Sequence, residues 1–304
     1  MNPRLQRLQP YPFAKLSSLL ADASAPVNLA PVHLHIGEPR HQPPAFVNAL
    51  LGDASGLNSY PSSQGTAALR ESGASALRRR YQLPPDMLDA ATMIVPVNGT
   101  REGLFSFIQA VVGHKHEPLV VMPNPFYQIY EGATLLAGAE PYFLNLSADN
   151  GFLPDFDKVS AEVWERCELL ILCSPGNPTG SCADTNQLCT ALRLADKFDF
   201  ILACDECYAD IFRQSTAPVG LLDVCREMQR KNLDRCAVFH SLSKRSNVPG
   251  LRSGMVAAAP DIVDQYRLYR TYHGCTMAPP VARASVALWD DDTTATRNRQ
   301  LYDQ

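Results

Sequence analysis

The sequence predicts an α/β fold built on a mostly parallel sheet. From about residue 92 onward, short apolar runs rich in β-branched residues alternate with longer amphipathic segments, as expected for buried strands connected by helices. The predicted strands are Thr92–Val97, Leu119–Met122, Pro141–Leu144, Leu169–Cys173, Phe200–Cys204, Cys236–His240 and Gly254–Ala258. Helical periodicity is clearest in Glu102–Val112, Gln128–Ala137, Thr185–Lys197 and Asp261–Arg270.

The first 44 residues differ from the rest. Prolines recur throughout them, and the one extended piece, Val32–Ile36, ends at a Gly-Glu-Pro turn. This pattern predicts an irregular arm that crosses the surface. The predicted organisation is an N-terminal arm with a small-domain segment over 1–44, a large α/β domain over 45–290, and the beginning of a C-terminal small domain over 291–304.

Composition excludes several classes of protein. The 304 residues carry a formal net charge of −4, which gives no basic surface for nucleic acid. No apolar run approaches the roughly 20 residues that span a bilayer, and no signal peptide is evident. Nine scattered cysteines, an odd number, argue against a full set of disulfides. We therefore expect a cytoplasmic protein with no nucleic-acid or membrane partner.

Two patterns raise the question of a metal. Cys204 and Cys207 form a C-x-x-C pair, but a structural zinc site needs a second pair of ligands at similar spacing, and the sequence has none. His33 and His35 share one face of a strand without an evident third ligand. We predict no metal site and interpret the two cysteines as incidental thiols beside a strand end.

The segment 241–254 carries the strongest chemical signal. Ser241, Ser243 and Lys244 directly follow a predicted strand, and Arg252 comes eight residues after the lysine. Hydroxyls and a guanidinium that meet in one place can bind a phosphate dianion. A lysine inside such a site can form an imine with an aldehyde cofactor. The alternative is a solvated loop.

Three further turns follow predicted strands. Asn98-Gly99-Thr100 precedes a helix, whose N-terminus favours phosphate. In the second turn, Asn177 lies between prolines that restrict its backbone. In the third, Asp205 comes three residues before Tyr208. A carboxylate there can keep a pyridine nitrogen protonated, and the tyrosine can reach a neighbouring ring oxygen. Taken singly, each turn also fits an ordinary loop or a helix cap.

Four motifs together resemble the fold type I (aspartate aminotransferase-like) enzymes that use pyridoxal 5′-phosphate (PLP). In chain order they are G-T-R, N-P-T-G, D-x-x-Y and S-x-S-K-x(7)-R. The resemblance implies a PLP-binding large domain with a seven-stranded sheet and an incomplete small domain. It makes Lys244 the Schiff-base lysine and, with Asp205 and Tyr208, a catalytic residue. The implied contacts of the cofactor are Gly99, Thr100, Arg101, Tyr127, Asn177, Asp205, Tyr208, Ser241, Ser243, Lys244 and Arg252.

The same resemblance implies a homodimer in which Tyr60 reaches the phosphate of the neighbouring subunit, and it places Gly37 at the substrate. Within the family, the stretches 35–41, 243–247 and 269–275 are most similar to succinyldiaminopimelate aminotransferases. That similarity implies transamination between N-succinyl-LL-2,6-diaminopimelate and 2-oxoglutarate, a step of lysine biosynthesis.

One departure from the family concerns length. Family members continue for about another hundred residues, which supply the arginine that binds the substrate's α-carboxylate, and neither Arg297 nor Arg299 lies in a matching context. The sequence therefore indicates a C-terminally truncated enzyme or a fragment. The alternatives are another amino acid aminotransferase, a PLP-dependent β-lyase, and a non-catalytic PLP-binding module. A nucleotide-binding protein is disfavoured because both glycine-rich phosphate motifs are missing.

Overall fold

A computed structural model describes residues 1–24, 26–30, 32, 36–213 and 217–303. Within these ranges, no helix has the length and apolar character needed to cross a membrane.

A seven-stranded sheet forms the centre of the molecule, in the order β1-β7-β6-β5-β4-β2-β3. Strand β7 runs antiparallel to both of its neighbours, whereas the other adjacent strands pair in parallel. The mostly parallel α/β prediction is therefore confirmed. The strands are β1 (Ile94–Val97), β2 (Leu119–Asn124), β3 (Glu140–Asn145), β4 (Cys167–Cys173), β5 (Ile201–Asp205), β6 (Cys236–Ser241) and β7 (Gly254–Ala258).

Twelve α-helices accompany the sheet in the described part of the chain. They are α1 (Pro12–Leu19), α2 (Phe46–Gly52), α3 (Ala67–Tyr81), α4 (Thr100–Val111), α5 (Ile129–Ala137), α6 (Ala161–Arg166), α7 (Thr185–Phe198), α8 (Leu221–Glu227), α9 (Leu242–Arg245), α10 (Pro260–His273), α11 (Pro279–Asp290) and α12 (Asp292–Leu301).

Both faces of the sheet are covered, and strand alternation divides the core in two. Leu202 and Val238 belong to the cluster that packs against α3, α7, α8 and α11. Ala203 and Phe239, one residue further along their strands, belong to the cluster with α4, α5 and α10. The same alternation sends neighbouring side chains at the strand ends to opposite sides of the sheet.

The prediction that residues 1–44 are irregular is wrong in part. Pro3–Arg7 forms a 3-10 turn and Pro12–Leu19 forms α1, each with proline in its first turn. Proline is favoured there because the first N–H groups of a helix have no partner within the helix. The predicted strand Val32–Ile36 lies mostly outside the described residues. The three-part division of the chain stays a prediction.

Candidate active site

The carboxyl ends of the parallel strands bring the predicted motifs to one edge of the sheet. Asp205 ends β5 and Ser241 ends β6, while Gly254 begins the antiparallel β7 opposite Ser241. In an open α/β sheet this edge is where ligands bind. The motifs around Gly99, Tyr127 and Asn177 follow β1, β2 and β4 to the same edge.

Lys244 lies on α9, a helix of four residues that directly follows β6. Ser241 Oγ caps this helix by accepting a hydrogen bond from the backbone N–H of Ser243 at 3.1 Å. Lys244 Nζ donates to the carbonyl oxygen of Gly37 at 2.6 Å and lies 5.6 Å from the centre of the Tyr208 ring. Burial lowers the pKa of Lys244, which increases the fraction of neutral amine.

Asp205 is the buried carboxylate of this edge, with 4% of its surface exposed. Its Oδ2 accepts a hydrogen bond from the Tyr130 hydroxyl at 2.7 Å, and its Oδ1 accepts one from the Cys207 N–H at 3.2 Å. Burial raises the pKa of Asp205, and these donors oppose that effect only in part. The carboxylate therefore lies in a place where a cationic partner would stabilise it.

Tyr130 was not predicted from the sequence. It is fully buried on α5, and its ring lies edge-on to that of Tyr127, 5.8 Å between centres. The spacing of three between these tyrosines at a helix start was the available signal, since residues three apart share a helix face. Nothing in the sequence indicated a partner 75 positions away.

A surface whose donors suit an anion lies where α4 begins. Gly99 has a φ of +82°, and a Cβ added there would overlap the guanidinium of Arg252. Glycine thus lets that guanidinium lie directly against the helix start, where the first N–H groups of α4 have no partner within the helix. Arg252 is itself anchored, because its Nη1 donates to the Pro249 carbonyl at 2.9 Å.

Other predicted residues border this surface. Thr100 Oγ1 lies 2.9 Å from Cys207 Sγ, and Arg101 Nε donates to the Tyr127 hydroxyl at 2.7 Å. Burial raises the pKa of Tyr208, so its hydroxyl stays protonated and can donate. Tyr60, by contrast, is fully exposed and makes no hydrogen bond or ring contact within the described residues.

The cysteines and one cluster of side chains bear on the prediction of no metal site. All nine cysteines are free, and Cys207 lies beside the end of β5 as expected. Among the described residues, Glu102, His273 and Cys275 could together hold an ion. The guanidinium of Arg270 already lies 2.5 Å from Glu102 Oε1, so this carboxylate has its cation. His33 and His35 lie outside the described residues.

Residues 31–301 match the family described as aminotransferase class I and II. The chain belongs to this family. Class I aminotransferases are PLP-dependent, so the membership confirms the family and the cofactor that the sequence motifs indicated.

Similar proteins agree with this membership. The chain is 31% identical to the LL-diaminopimelate aminotransferase of Syntrophobacter fumaroxidans over 264 residues, 86% of this chain and 65% of that relative. It is similar to the crystal structure of an aminotransferase from Neisseria meningitidis Z2491, with 46% identity, a TM-score of 0.93, and coverage of 99% of this chain and 76% of that one. It also shares the fold of N-succinyldiaminopimelate aminotransferase from Mycobacterium tuberculosis, at 24% identity, a TM-score of 0.83, and coverage of 99% and 75%.

Proposed function

We propose that the edge containing Lys244 binds PLP and that this chain carries the cofactor site of an aminotransferase. The observation that supports this most is the convergence of an amine, a buried carboxylate and an anion-binding helix start on one sheet edge. In the proposed arrangement, the helix start at Gly99, Thr100 and Arg101 binds the cofactor's phosphate together with Ser241, Ser243 and Arg252.

The remaining residues would hold the ring. Asp205 would contact the ring nitrogen, Tyr127 would stack on the ring, and Asn177 and Tyr208 would donate to its ring oxygen. Lys244 would bond covalently to its aldehyde carbon. The donor set fits, because the phosphate would meet cationic and N–H groups and the ring nitrogen would meet a buried carboxylate.

Bound PLP would supply the sink for the electrons left on the amino donor when its Cα proton departs. The chain's own residues would then position and move that proton. Lys244, freed when the amino group of the donor replaces it on the aldehyde carbon, would take the proton from Cα as a neutral amine, and burial already lowers its pKa. Asp205 would keep the ring nitrogen protonated, and the protonated hydroxyl of Tyr208 would donate to the ring oxygen.

For the substrate, we propose N-succinyl-LL-2,6-diaminopimelate as amino donor and 2-oxoglutarate as acceptor, in lysine biosynthesis. The similarity to a named LL-diaminopimelate aminotransferase supports the diaminopimelate class. The stretches 35–41, 243–247 and 269–275 support the succinylated form, and Gly37 would lie at the substrate. Assays with succinylated and free LL-diaminopimelate in parallel decide between them, and keto-acid formation without 2-oxoglutarate would indicate a lyase instead.

We further propose a homodimer in which the exposed Tyr60 reaches the phosphate of the neighbouring subunit. Nine free cysteines agree with a reducing compartment, and we propose the cytoplasm as the location. Loss of PLP affinity on Tyr60→Phe, together with the mass of the assembly in solution, tests the dimer.

The cofactor site is tested with the purified chain, added PLP and borohydride. We expect a visible absorbance band that borohydride fixes covalently on the peptide containing Lys244. Lys244→Ala should lose the fixed cofactor and at least 10²–10⁴-fold in turnover, the usual contribution of a positioned acid–base group. It should still bind PLP weakly through the phosphate contacts.

Lys231→Ala serves as the matched control, since that exposed lysine lies at the surface and pairs with Asp86. It should behave as the wild type. A folded wild-type chain without the band, or a Lys244→Ala variant that keeps it, would refute the proposed site.

A further inference from the structure

The helix that carries Lys244 is too short to satisfy its own carbonyl groups. The last four carbonyls of any helix have no partner within that helix, and α9 has four residues in total. The carbonyl of Leu242 accepts from the Ser246 N–H at 3.0 Å. The carbonyls of Lys244 and Arg245 need donors from elsewhere in the molecule.

Asn298, on α12, supplies these donors. Its Nδ2 donates to the carbonyl oxygen of Lys244 at 2.9 Å and to that of Arg245 at 3.3 Å. Only 7% of Asn298 is exposed, and its Oδ1 has no hydrogen-bond partner among the residues that the structure describes. The buried amide therefore acts as a donor alone, and it acts on the backbone of α9.

The side chain of Arg245 ties the same short helix to the junction of α11 and α12. Its Nη1 donates to the carbonyls of Leu288 at 2.8 Å and Asp291 at 3.2 Å, and its Nη2 lies 2.5 Å from Asp292 Oδ1. The end of a helix is a favourable place for a cation, because its carbonyls and its dipole both present negative charge. Arg245 thus fixes where α12 begins.

The other end of α12 contacts the segment that Lys244 reaches. The ring of Tyr302 lies edge-on to that of His41, 5.2 Å between centres, and the His41 carbonyl accepts from Asn247 Nδ2. Four residues earlier in the chain, Gly37 accepts from Lys244 Nζ. Helix α12 therefore contacts the backbone that carries the lysine and also the segment that its amine meets.

From this geometry we infer that Asn298 is a positioning residue for Lys244. By capping α9 from outside, its amide sets the backbone position from which Nζ reaches the ligand-binding edge. This inference rests on the proposed role of Lys244. Misplacement of a reacting group by a fraction of an ångström to 1 Å slows reactions far more than it weakens binding through other contacts.

Asn298→Asp tests the inference, because it keeps the shape and replaces two N–H donors by a carboxylate that faces two carbonyls. Gln300→Glu is the matched control, with the same chemical change at an exposed position of the same helix. Three quantities are measured: the rate of forming the borohydride-fixable Lys244–PLP bond, the affinity for pyridoxine 5′-phosphate, and amide hydrogen exchange in the cofactor-free chain. Pyridoxine 5′-phosphate has the phosphate and the ring but no aldehyde.

We expect Asn298→Asp to slow bond formation about 10-fold. A factor of this size corresponds to the loss of one hydrogen bond whose net contribution is near the top of the usual range. The affinity for pyridoxine 5′-phosphate should stay within about twofold, since a phosphate site depends on other residues. In the cofactor-free chain, the amides of 243–246 should exchange hydrogen faster than in the wild type while those of β6 do not. Gln300→Glu should change none of these quantities.

An Asn298→Asp variant with unchanged bond-formation rate and unchanged hydrogen exchange would overturn the inference. An equal loss of the rate and of the affinity for pyridoxine 5′-phosphate would also overturn it, because it would indicate a general loss of order in the site. If the wild type forms no Lys244–PLP bond, the proposed function fails and the exchange measurement alone decides whether Asn298 orders α9. If Asn298→Asp does not fold, Asn298→Ser, which introduces no charge, should show the same selective pattern with a smaller change in rate.

Discussion

Asp205 and Glu206 are neighbours in the chain, both carboxylates and both at most 4% exposed, yet they lie in opposite environments. Glu206 points to the α3 side of the sheet, where it accepts from the Leu221 N–H at 2.7 Å and from Tyr81, and lies 3.0 Å from His240 Nε2. Asp205 points to the other side, where Tyr130 and Cys207 supply neutral donors.

The two pKa values move in opposite directions. Burial alone would raise the pKa of Glu206, but the hydrogen bond and charge of His240, with Tyr81 and Leu221, hold it below its usual value. Burial dominates at Asp205 and raises its pKa. Removing one partner of a buried, paired charge is strongly destabilising, whereas a carboxylate whose pKa burial raises is a candidate for a ligand site. A polar cluster with its own partners and the proposed cofactor site thus lie on either side of a single peptide bond.

The largest expected effect is on stability at Glu206. Glu206→Ala removes the shared partner of Tyr81 and His240 and leaves their polar groups buried without it. Such a loss typically costs about 3–5 kcal/mol of the free energy of unfolding. Denaturant unfolding of the cofactor-free chain measures it, and a cost below about 1 kcal/mol would show that this cluster is not the structural one.

The next effect is on binding at Asp205. Asp205→Asn should weaken PLP binding by roughly 2–5 kcal/mol, the usual loss when one partner of a buried charge pair is truncated. The free energy of unfolding of the cofactor-free variant should be no lower than that of the wild type at pH 7. Equilibrium titration and unfolding of the same preparations separate the two quantities, and unchanged PLP affinity would contradict the assignment.

The pH dependence follows from the same carboxyl. In the folded chain Asp205 keeps its proton at pH values where the unfolded chain, with an ordinary carboxyl pKa of about 3.9, has lost it. Wild-type stability should therefore fall as pH rises from that value through the raised folded pKa, and Asp205→Asn should lack this fall. Glu206 works the other way, because the stability that it adds is lost as pH falls through its lowered folded pKa.

The smallest effects are expected for the two tyrosines. Tyr130→Phe and Tyr81→Phe each remove one hydroxyl that donates to a buried carboxylate, worth about 1.5–3 kcal/mol for a charged acceptor. Tyr130→Phe should also change PLP affinity, since it acts on the proposed ring contact. Tyr81→Phe should leave PLP affinity unchanged. A loss of PLP affinity in this variant would indicate that the Glu206 cluster is also part of the cofactor site.

The sequence was informative wherever a signal is local. Each of the seven strands predicted from residue 92 onward is present, with ends within two residues of those observed, because buried apolar runs mark strands. The helices of the first 44 residues were missed, since recurring prolines were interpreted as irregular chain although proline also begins helices.

The residues that sequence analysis did not predict contact partners that are far away in the sequence. Tyr130 meets Asp205 across 75 positions, Tyr81 meets Glu206 across 125, and Asn298 meets Lys244 across 54. Such pairings depend on how helices pack on the sheet, and propensity or spacing within one segment carries no information about them. The family and its cofactor were thus predictable from the motifs at the strand ends, whereas the contacts of Tyr130, Tyr81 and Asn298 were not.

The cap that Asn298 provides has a consequence for the order of synthesis. A ribosome completes β7 at Ala258 before it makes α12, so the chain holds every strand of its sheet while the turn at Lys244 still lacks its donor. Domains begin to fold as they emerge. The nascent sheet can therefore form ahead of α12, and under the proposed role of Asn298 the amine of Lys244 takes its final place only when that helix docks.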